Sequence, residues 1–200
     1  MIKTVFCDLG NVLVKVDRPK AFQLLSEYLG LPPEILVAPA AQALELGFER
    51  GELGEAEYLA RVKTFLPSQN HITLAGLVEL WQTPFEYDWS VWELIQQVRQ
   101  KVPVILLSNT NPLHIRAIRQ KFDLFAYLDG WVLSYEVRAL KPEAAIYQAA
   151  LNKAGIQPAE ALLIDDLPEN VSGARDVGMQ AYQYVEISDL KRFLCQLNLI

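Results

Sequence analysis

The sequence predicts an α/β fold: a parallel sheet with helices on both faces and a helical cap inserted after the first strand. Three observations predict it. From residue 88 onward, short unbroken apolar runs alternate with segments of helical period, the rhythm of strand–helix–strand crossovers in a parallel sheet. A similar apolar run opens the chain, yet the stretch 15–87 that follows it carries helical periods and no strand pattern. Finally, the apolar runs stop abruptly on acids, hydroxyls or amides.

The first strand covers residues 2–7; Asp8 ends it, Gly10 and Asn11 break it, and Val12, Leu13 and Val14 resume the apolar run. Asp17 is placed to cap a helix carrying Phe22, Leu25 and Leu29, and Gly30 to close it. Leu44, Leu46 and Phe48 lead into GFERGELGEAEY, read as a solvated connection or as a cap loop facing the ligand. Tyr58, Leu59, Val62 and Phe65 form a helix ended by Pro67, and Leu74, Leu77, Val78 and Trp81 one ended by Pro84. Val91, Leu94, Ile95 and Val98 follow the i, i+3, i+4, i+7 rule. VPVILL, 102–107, is continuous and suits a strand buried on both faces. Asn111-Pro112 then caps and opens a helix with Ile115, Ile118 and Phe122. WVLS (131–134) and ALLI (161–164) are strands, and AYQYV (181–185) is a weaker one. Between and after them lie a helix on Ile146, Ala149 and Ala150 stopped by Gly155, one on Val171, Ala174 and Val177 stopped by Gly178, and a last helix near 188–197. The domain reading is a Rossmann-like core of 1–14 and 88–200 and a helical cap of 15–87. An insertion at a strand's carboxyl end sits over the ligand crevice of an open sheet. The tryptophans at 81, 89, 92 and 131 are read as packing residues, with Trp81 or Phe85 as alternative linings of a sugar site.

Composition narrows the function. With 52% hydrophobic and 21% charged residues, the 200-residue chain has material for a sizeable core. A net charge of −6 argues against nucleic-acid partners, which select basic faces. It also requires that any anionic substrate meet local positive charge. The two cysteines, Cys7 and Cys195, form no CxxC pair, so neither zinc nor a disulfide framework is expected. Asp8 interrupts the first apolar run too early for a signal-peptide core, and no apolar stretch approaches the ~20 residues of a membrane span. A cytoplasmic protein without a membrane partner is the expectation.

In a parallel sheet all carboxyl ends share one edge, so the polar endings converge. They are Asp8, then Ser108-Asn109-Thr110, then Lys141 beyond WVLS, then Asp165-Asp166. Taken singly, each has an ordinary explanation: a turn, a helix entry, a helix start, a cap. Gathered at one rim, they compose a chemistry. Carboxylates at Asp8 and Asp166 suit a hard cation such as Mg²⁺. Lys141 and the Ser108 hydroxyl suit phosphate. A carboxylate is then free to act as a nucleophile. Two carboxylates and a phosphate dianion carry about −4, and Mg²⁺ with the lysine returns about +3. Each unit pair at ~4 Å is worth ~4 kcal/mol at an effective dielectric of 20.

DLGNVL, LLSNTN, LKPEAAIY and LIDDLPEN together resemble, in order and over nearly the whole chain, the four motifs of the haloacid dehalogenase (HAD) superfamily of phosphohydrolases. Within it, DLGNV and SNTNPLH are similar to the α-D-glucose-1-phosphatases and to the phosphatase domain of soluble epoxide hydrolases. The resemblance implies a small phosphorylated metabolite as substrate, a sugar 1-phosphate among the candidates. Asp8 would be the nucleophile that becomes phosphorylated, with phosphate held by Ser108 and the Asn109 amide and neutralised by Lys141. It implies Mg²⁺ on Asp8, Asp166 and the carbonyl of Gly10. Asp165 would stand behind the metal or coordinate it directly, and Asn170 would orient the last motif.

Two positions depart from the family pattern. The second aspartate, the usual proton donor two residues after the nucleophile, is Gly10 here. General acid–base help is worth ~10²–10⁴-fold. Either another residue supplies the proton, or the leaving group departs unaided as an anomeric oxygen does, or the protein is a weakly active or inactive phosphate-binding relative. Asp17, His114 and Glu49 are the replacement candidates, with Asp17 also a helix cap and His114 equally a substrate contact or a plain surface residue. The other departure is Arg138, where similar enzymes carry glycine. A haloacid dehalogenase also uses an aspartate nucleophile but needs no metal, so Asp165-Asp166 speaks against it.

Overall fold

The computed structural model describes residues 1–66, 72–122 and 124–200. The stop at Pro67 expected for one helix lies outside the described residues. Five parallel strands form the main sheet: β1 (Thr4–Cys7), β4 (Val104–Ser108), β5 (Gly130–Leu133), β6 (Ala161–Asp165) and β7 (Gln180–Gln183), in the order β5-β4-β1-β6-β7. The apolar runs are unbroken because both faces are covered. Val5 and Cys7 turn to one face with Leu106, Leu162 and Ile164, while Phe6 turns to the other with Ile105, Leu107 and Leu163. α6 (Trp89–Arg99), α7 (Pro112–Lys121) and α11 (Ile187–Gln196) cover the first face. α9 (Ala144–Ala154) and α10 (Pro168–Asp176) cover the second.

The chain runs outward from β1 through β4 to β5, then returns to place β6 on the other side of β1. The order therefore reverses between β1 and β6, and crevices at such a switch point are where open α/β sheets bind ligands. Register sharpens this: Cys7 pairs with Ile164, so Asp8 and Asp165 leave the sheet side by side.

Between β1 and α6 lie α1 (Arg18–Leu29), α2 (Pro33–Leu36), α3 (Pro39–Glu49), α4 (Glu55–Thr64) and α5 (Leu74–Trp81). Asp17 caps α1, accepting from Lys20 N, and Gly30 ends it at φ 64°. Two differences from the sequence reading stand out. The stretch 15–87 is not free of strand. β2 (Val14–Val16) pairs antiparallel with β3 (Phe85–Tyr87), clasping the two ends of the helical segment. Three-residue strands with one buried residue each carry too little alternation to be read locally. And GFERGELGEAEY is largely helical: α3 runs through Glu49 and α4 starts at Glu55, because Phe48 is fully buried and stacks on Tyr58. Of the tryptophans, Trp92 is buried and donates Nε1–H to Leu13 O, whereas Trp89 is largely exposed and packs by stacking on Tyr87 at a centroid distance of 4.8 Å. Among the described residues no helix is long and apolar enough to cross a membrane.

Candidate active site

The floor is built at the carboxyl ends of β1, β4 and β6. Asp8 continues β1 by donating its N–H to Ile164 O at 2.9 Å. Its Oδ1 accepts from Lys141 Nζ at 2.7 Å, and the same ammonium reaches Asp165 Oδ2 at 2.5 Å and Leu107 O at 2.8 Å. Three acceptors around three N–H donors satisfy a side chain that is 1% exposed. Burial alone pulls the Lys141 pKa down, but Asp8 and Asp165 together outweigh it and hold the ammonium above its ordinary value. Burial pushes Asp8 up, Lys141 draws it back, and Asp165 adds to the rise, leaving it at about 6. Cys7, just below, is buried and its thiol is pushed far up by desolvation, so it packs as a small hydrophobe.

Lys141 is held from behind. The Asn109 carboxamide accepts from Lys141 N at 2.7 Å and donates to Lys141 O at 2.9 Å, latching the main chain on both sides. Ser108, 2% exposed, lies beside it at the cavity wall.

Asp165 and Asp166 occupy different environments. Asp165 is fully buried, with Oδ2 on Lys141 and Oδ1 accepting from Leu167 N at 3.0 Å and from Asn170 Nδ2 at 2.9 Å. Asp166 is half-buried, lines the cavity and accepts from Asn11 Nδ2 at 3.1 Å. Carboxylate oxygens of Asp8, Asp165 and Asp166 lie within 4.8 Å of one another, close enough to share an ion. Asp8 and Asp166, with Gly10, face the cavity; Asp165 is committed to Lys141 and the start of α10.

Above this floor is a cavity of about 550 Å³ roofed by α1, α2, α3, α4 and α5. Much of the roof is apolar: Leu25, Leu29, Leu36, Leu44, Val62 and Phe65. His114 is no plain surface residue. It lines the cavity edge-on to Trp81 and Phe85, with ring centroids 4.1 and 5.8 Å away, and burial lowers its pKa to about 3. Trp81 and Phe85 line the cavity and also stack on each other, with ring centroids 5.7 Å apart. Asp17 is spent on capping α1, and Arg138 is exposed at φ 57° at the end of α8 (Ser134–Val137). That left-handed backbone is the seat glycine fills without strain.

A polar cluster in the roof escaped the sequence reading. Glu45 accepts from Asn111 Nδ2 and from Tyr58 OH, each at 2.8 Å, and burial raises its pKa. Its signal was an acid set among Leu44, Leu46 and Phe48. Glu49, one turn on, lines the same cavity. Burial and neighbouring Glu45 push its pKa up to about 8 against the pull of Arg18.

Comparison with known proteins gives the site a context. A family model described as haloacid dehalogenase-like hydrolase matches residues 2–178. D-ribitol-5-phosphate phosphatase of Bacteroides thetaiotaomicron is 28% identical over 198 residues, covering 92% of each chain. Flavin mononucleotide hydrolase 1 of Arabidopsis thaliana, a chloroplast protein by its name, is 26% identical over 191 residues, 96% of this chain and 77% of that one. A HAD-family enzyme of B. thetaiotaomicron, solved in complex with magnesium and inorganic phosphate, superposes with a TM-score of 0.80 at 26% identity, covering 95% of this chain and 99% of its own.

Proposed function

The chain belongs to the haloacid dehalogenase-like hydrolases, and on that premise we propose that it hydrolyses phosphomonoesters of small metabolites through a phosphorylated Asp8. The observation that carries this reading is the Asp8–Lys141–Asp165 ion triad beside Asp166, on the floor of a closed-over cavity. The relatives named for phosphate-ester hydrolysis and the magnesium–phosphate complex of a structural neighbour support it.

The donor set fits a hard cation: anionic oxygens from Asp8 and Asp166 and a carbonyl from Gly10, with no sulfur or imidazole ligand. These three residues would hold Mg²⁺, whose charge would offset the substrate's dianion. Lys141 keeps Asp8 ionised and aimed, and adds a cation next to the phosphate. Ser108 Oγ–H and the Asn109 main-chain N–H donate to the phosphate oxygens. Asp8 Oδ attacks phosphorus, the bond to the departing oxygen breaks with its electron pair, and water then displaces phosphate from Asp8. Asp165 positions Lys141. The helical segment 15–87 acts as the cap that encloses the substrate and selects it. Sugar 1-phosphates belong to the substrate class, since an anomeric oxygen is a good leaving group. A cytoplasmic setting is part of the same reading.

The test is release of phosphate from p-nitrophenyl phosphate. Wild-type protein turns over with Mg²⁺ and stops in EDTA, and Asp8→Asn loses more than ~10³-fold. Turnover that survives in Asp8→Asn, or wild-type protein that binds phosphate without turnover, refutes the proposal. Halide release from 2-haloacids without metal would establish the dehalogenase alternative instead.

A further inference from the structure

We propose that Glu49 is the proton donor and acceptor of this reaction, the role for which Gly10 has no side chain. The inference rests on the phosphatase reading above and names a residue that the reading leaves unassigned. When Asp8 attacks phosphorus, the Glu49 carboxyl gives its proton to the departing alkoxide, yielding the alcohol and the acyl phosphate on Asp8. The resulting carboxylate then takes a proton from the attacking water, the P–O bond to Asp8 breaks, and Glu49 ends protonated as it began.

Position comes first. Glu49 is the last residue of α3 and lines the cavity with Asp8, Ser108 and Lys141. Three consecutive residues dock this corner onto the catalytic loops. The Glu49 carbonyl accepts from Ser134 Oγ at 2.6 Å, and that hydroxyl accepts from Thr110 N at 2.9 Å, two residues past Ser108. Arg50 grips both carboxylate oxygens of Glu143 at 2.6 and 2.8 Å, two residues past Lys141. Gly51, at φ 72°, is pressed so close that a Cβ there would lie 2.2 Å from Tyr135 O. The Glu49 main chain is thereby fixed between the phosphate-side loop and the lysine loop.

Availability comes next. Among the described residues no hydrogen bond reaches the Glu49 carboxyl, whereas the other carboxylic acids facing the cavity are committed. Glu45 is bonded to Tyr58 and Asn111, Asp166 to Asn11, and Asp8 to Lys141. His114 packs against Trp81 and is held neutral at physiological pH, so it has no proton to give as an imidazolium. Arg18, from α1, is the cation facing Glu49 and opposes the rise caused by burial and Glu45. The balance leaves Glu49 protonated at neutral pH, the state a general acid needs at the start of a cycle. Gly10 has room for a Cβ, which would meet Val16 Cγ2 at 3.6 Å, ordinary contact distance.

The experiment compares Glu49→Gln with wild type on two esters in Mg²⁺: p-nitrophenyl phosphate, whose phenolate leaves unaided, and ethyl phosphate, whose alkoxide does not. For ethyl phosphate the variant is expected to lose ~10²–10⁴-fold in the first turnover. For p-nitrophenyl phosphate the first turnover stays within about threefold, and release of phosphate from Asp8 becomes slow, so a burst of one nitrophenolate per enzyme appears. Glu49→Asp recovers part of the ethyl phosphate rate, which a packing role would not require. Equal first-turnover losses on the two esters, no loss on either, or no recovery in Glu49→Asp would overturn the assignment while leaving the phosphatase reading intact. Wild-type protein inert on both esters would overturn the phosphatase reading and this one with it.

Discussion

Asp165→Asn and Asp166→Asn make the same chemical change at adjacent residues, and the structure predicts opposite consequences. Asp165 is fully buried with Lys141 on one oxygen and two N–H donors, from Leu167 and Asn170, on the other. An amide presents an oxygen on one side only. The asparagine must therefore turn its NH₂ either towards the ammonium or towards the two N–H groups. A lost hydrogen bond to a charged group costs ~1.5–3 kcal/mol, and breaking a buried ion pair costs ~3–5 kcal/mol. Asp8 remains as a counter-charge for Lys141, so the total expected is about 3–4 kcal/mol, below the simple sum of those two figures. Asp166 is half-exposed with a single hydrogen bond from Asn11, which an asparagine oxygen can keep, so its loss is within about 0.5 kcal/mol. Urea unfolding in EDTA, followed by the fluorescence of the four tryptophans, reads these numbers without metal. Mg²⁺ is then added. At 100 times its dissociation constant a ligand of the native state adds ~2.7 kcal/mol. Wild type and Asp165→Asn should show a metal increment, and Asp166→Asn should show none. Equal losses in EDTA, or a full Mg²⁺ increment in Asp166→Asn, would refute the division of labour between the two acids.

Three further outcomes are expected. Gly51→Ala places a Cβ against the Tyr135 carbonyl in a left-handed backbone and should cost about 2–4 kcal/mol in urea unfolding, whereas Gly10→Ala should stay within about 0.5 kcal/mol; the reverse order would contradict the packing described. With the folded-state pKa of Glu49 raised to about 8, the unfolded chain gives up that proton first as pH rises, so this residue erodes stability progressively from its ordinary pKa up to about pH 8. Glu49→Gln should therefore gain melting temperature relative to wild type at pH 8 and not at pH 4, and a pH-independent difference would rule out the raised pKa. Trp92→Phe removes the indole N–H donor to Leu13 O and should cost about 1–2 kcal/mol; a neutral effect in urea unfolding would show that water replaces the bond.

Much of the floor was readable from the chain because it depends on local signals and one topological rule. Asp8, Ser108, Lys141 and Asp165-Asp166 each end or follow an apolar run, and parallel pairing gathers run ends at one edge. Caps at Asp17 and Asn111 and the stops at Gly30 and Gly155 were likewise local. What was not readable is what depends on partners far along the chain. β2 and β3 are three residues each and exist because Val14 meets Tyr87 and Val16 meets Phe85. The Glu45–Tyr58–Asn111 contacts join α3, α4 and the residue before α7, and no spacing announces them. His114 has the same one-letter signature whether it faces water or, as here, Trp81. Arg138 shows a residue type in the sequence but not the positive φ it must bear.

The distribution of charge explains why acids in the roof are compatible with an anionic substrate. Asp8, Asp165 and Asp166 against Lys141 leave the floor at −2, a divalent cation brings it to neutrality, and a phosphate dianion restores −2. Ionised Glu45 and Glu49 would add two more negative charges above that phosphate. At an effective dielectric of 20, each unit pair at ~5 Å costs about 3 kcal/mol, enough to expel the substrate. Burial raises the pKa of both roof acids, and Glu49, pushed up to about 8, meets phosphate as a neutral carboxyl group. The same desolvation that weakens this repulsion leaves a transferable proton on Glu49, in the same cavity as the acids proposed to hold the metal. A second aspartate beside Asp8 would add its negative charge to the floor; an acid in the roof can supply the proton while its charge appears only transiently, after the leaving group has taken it.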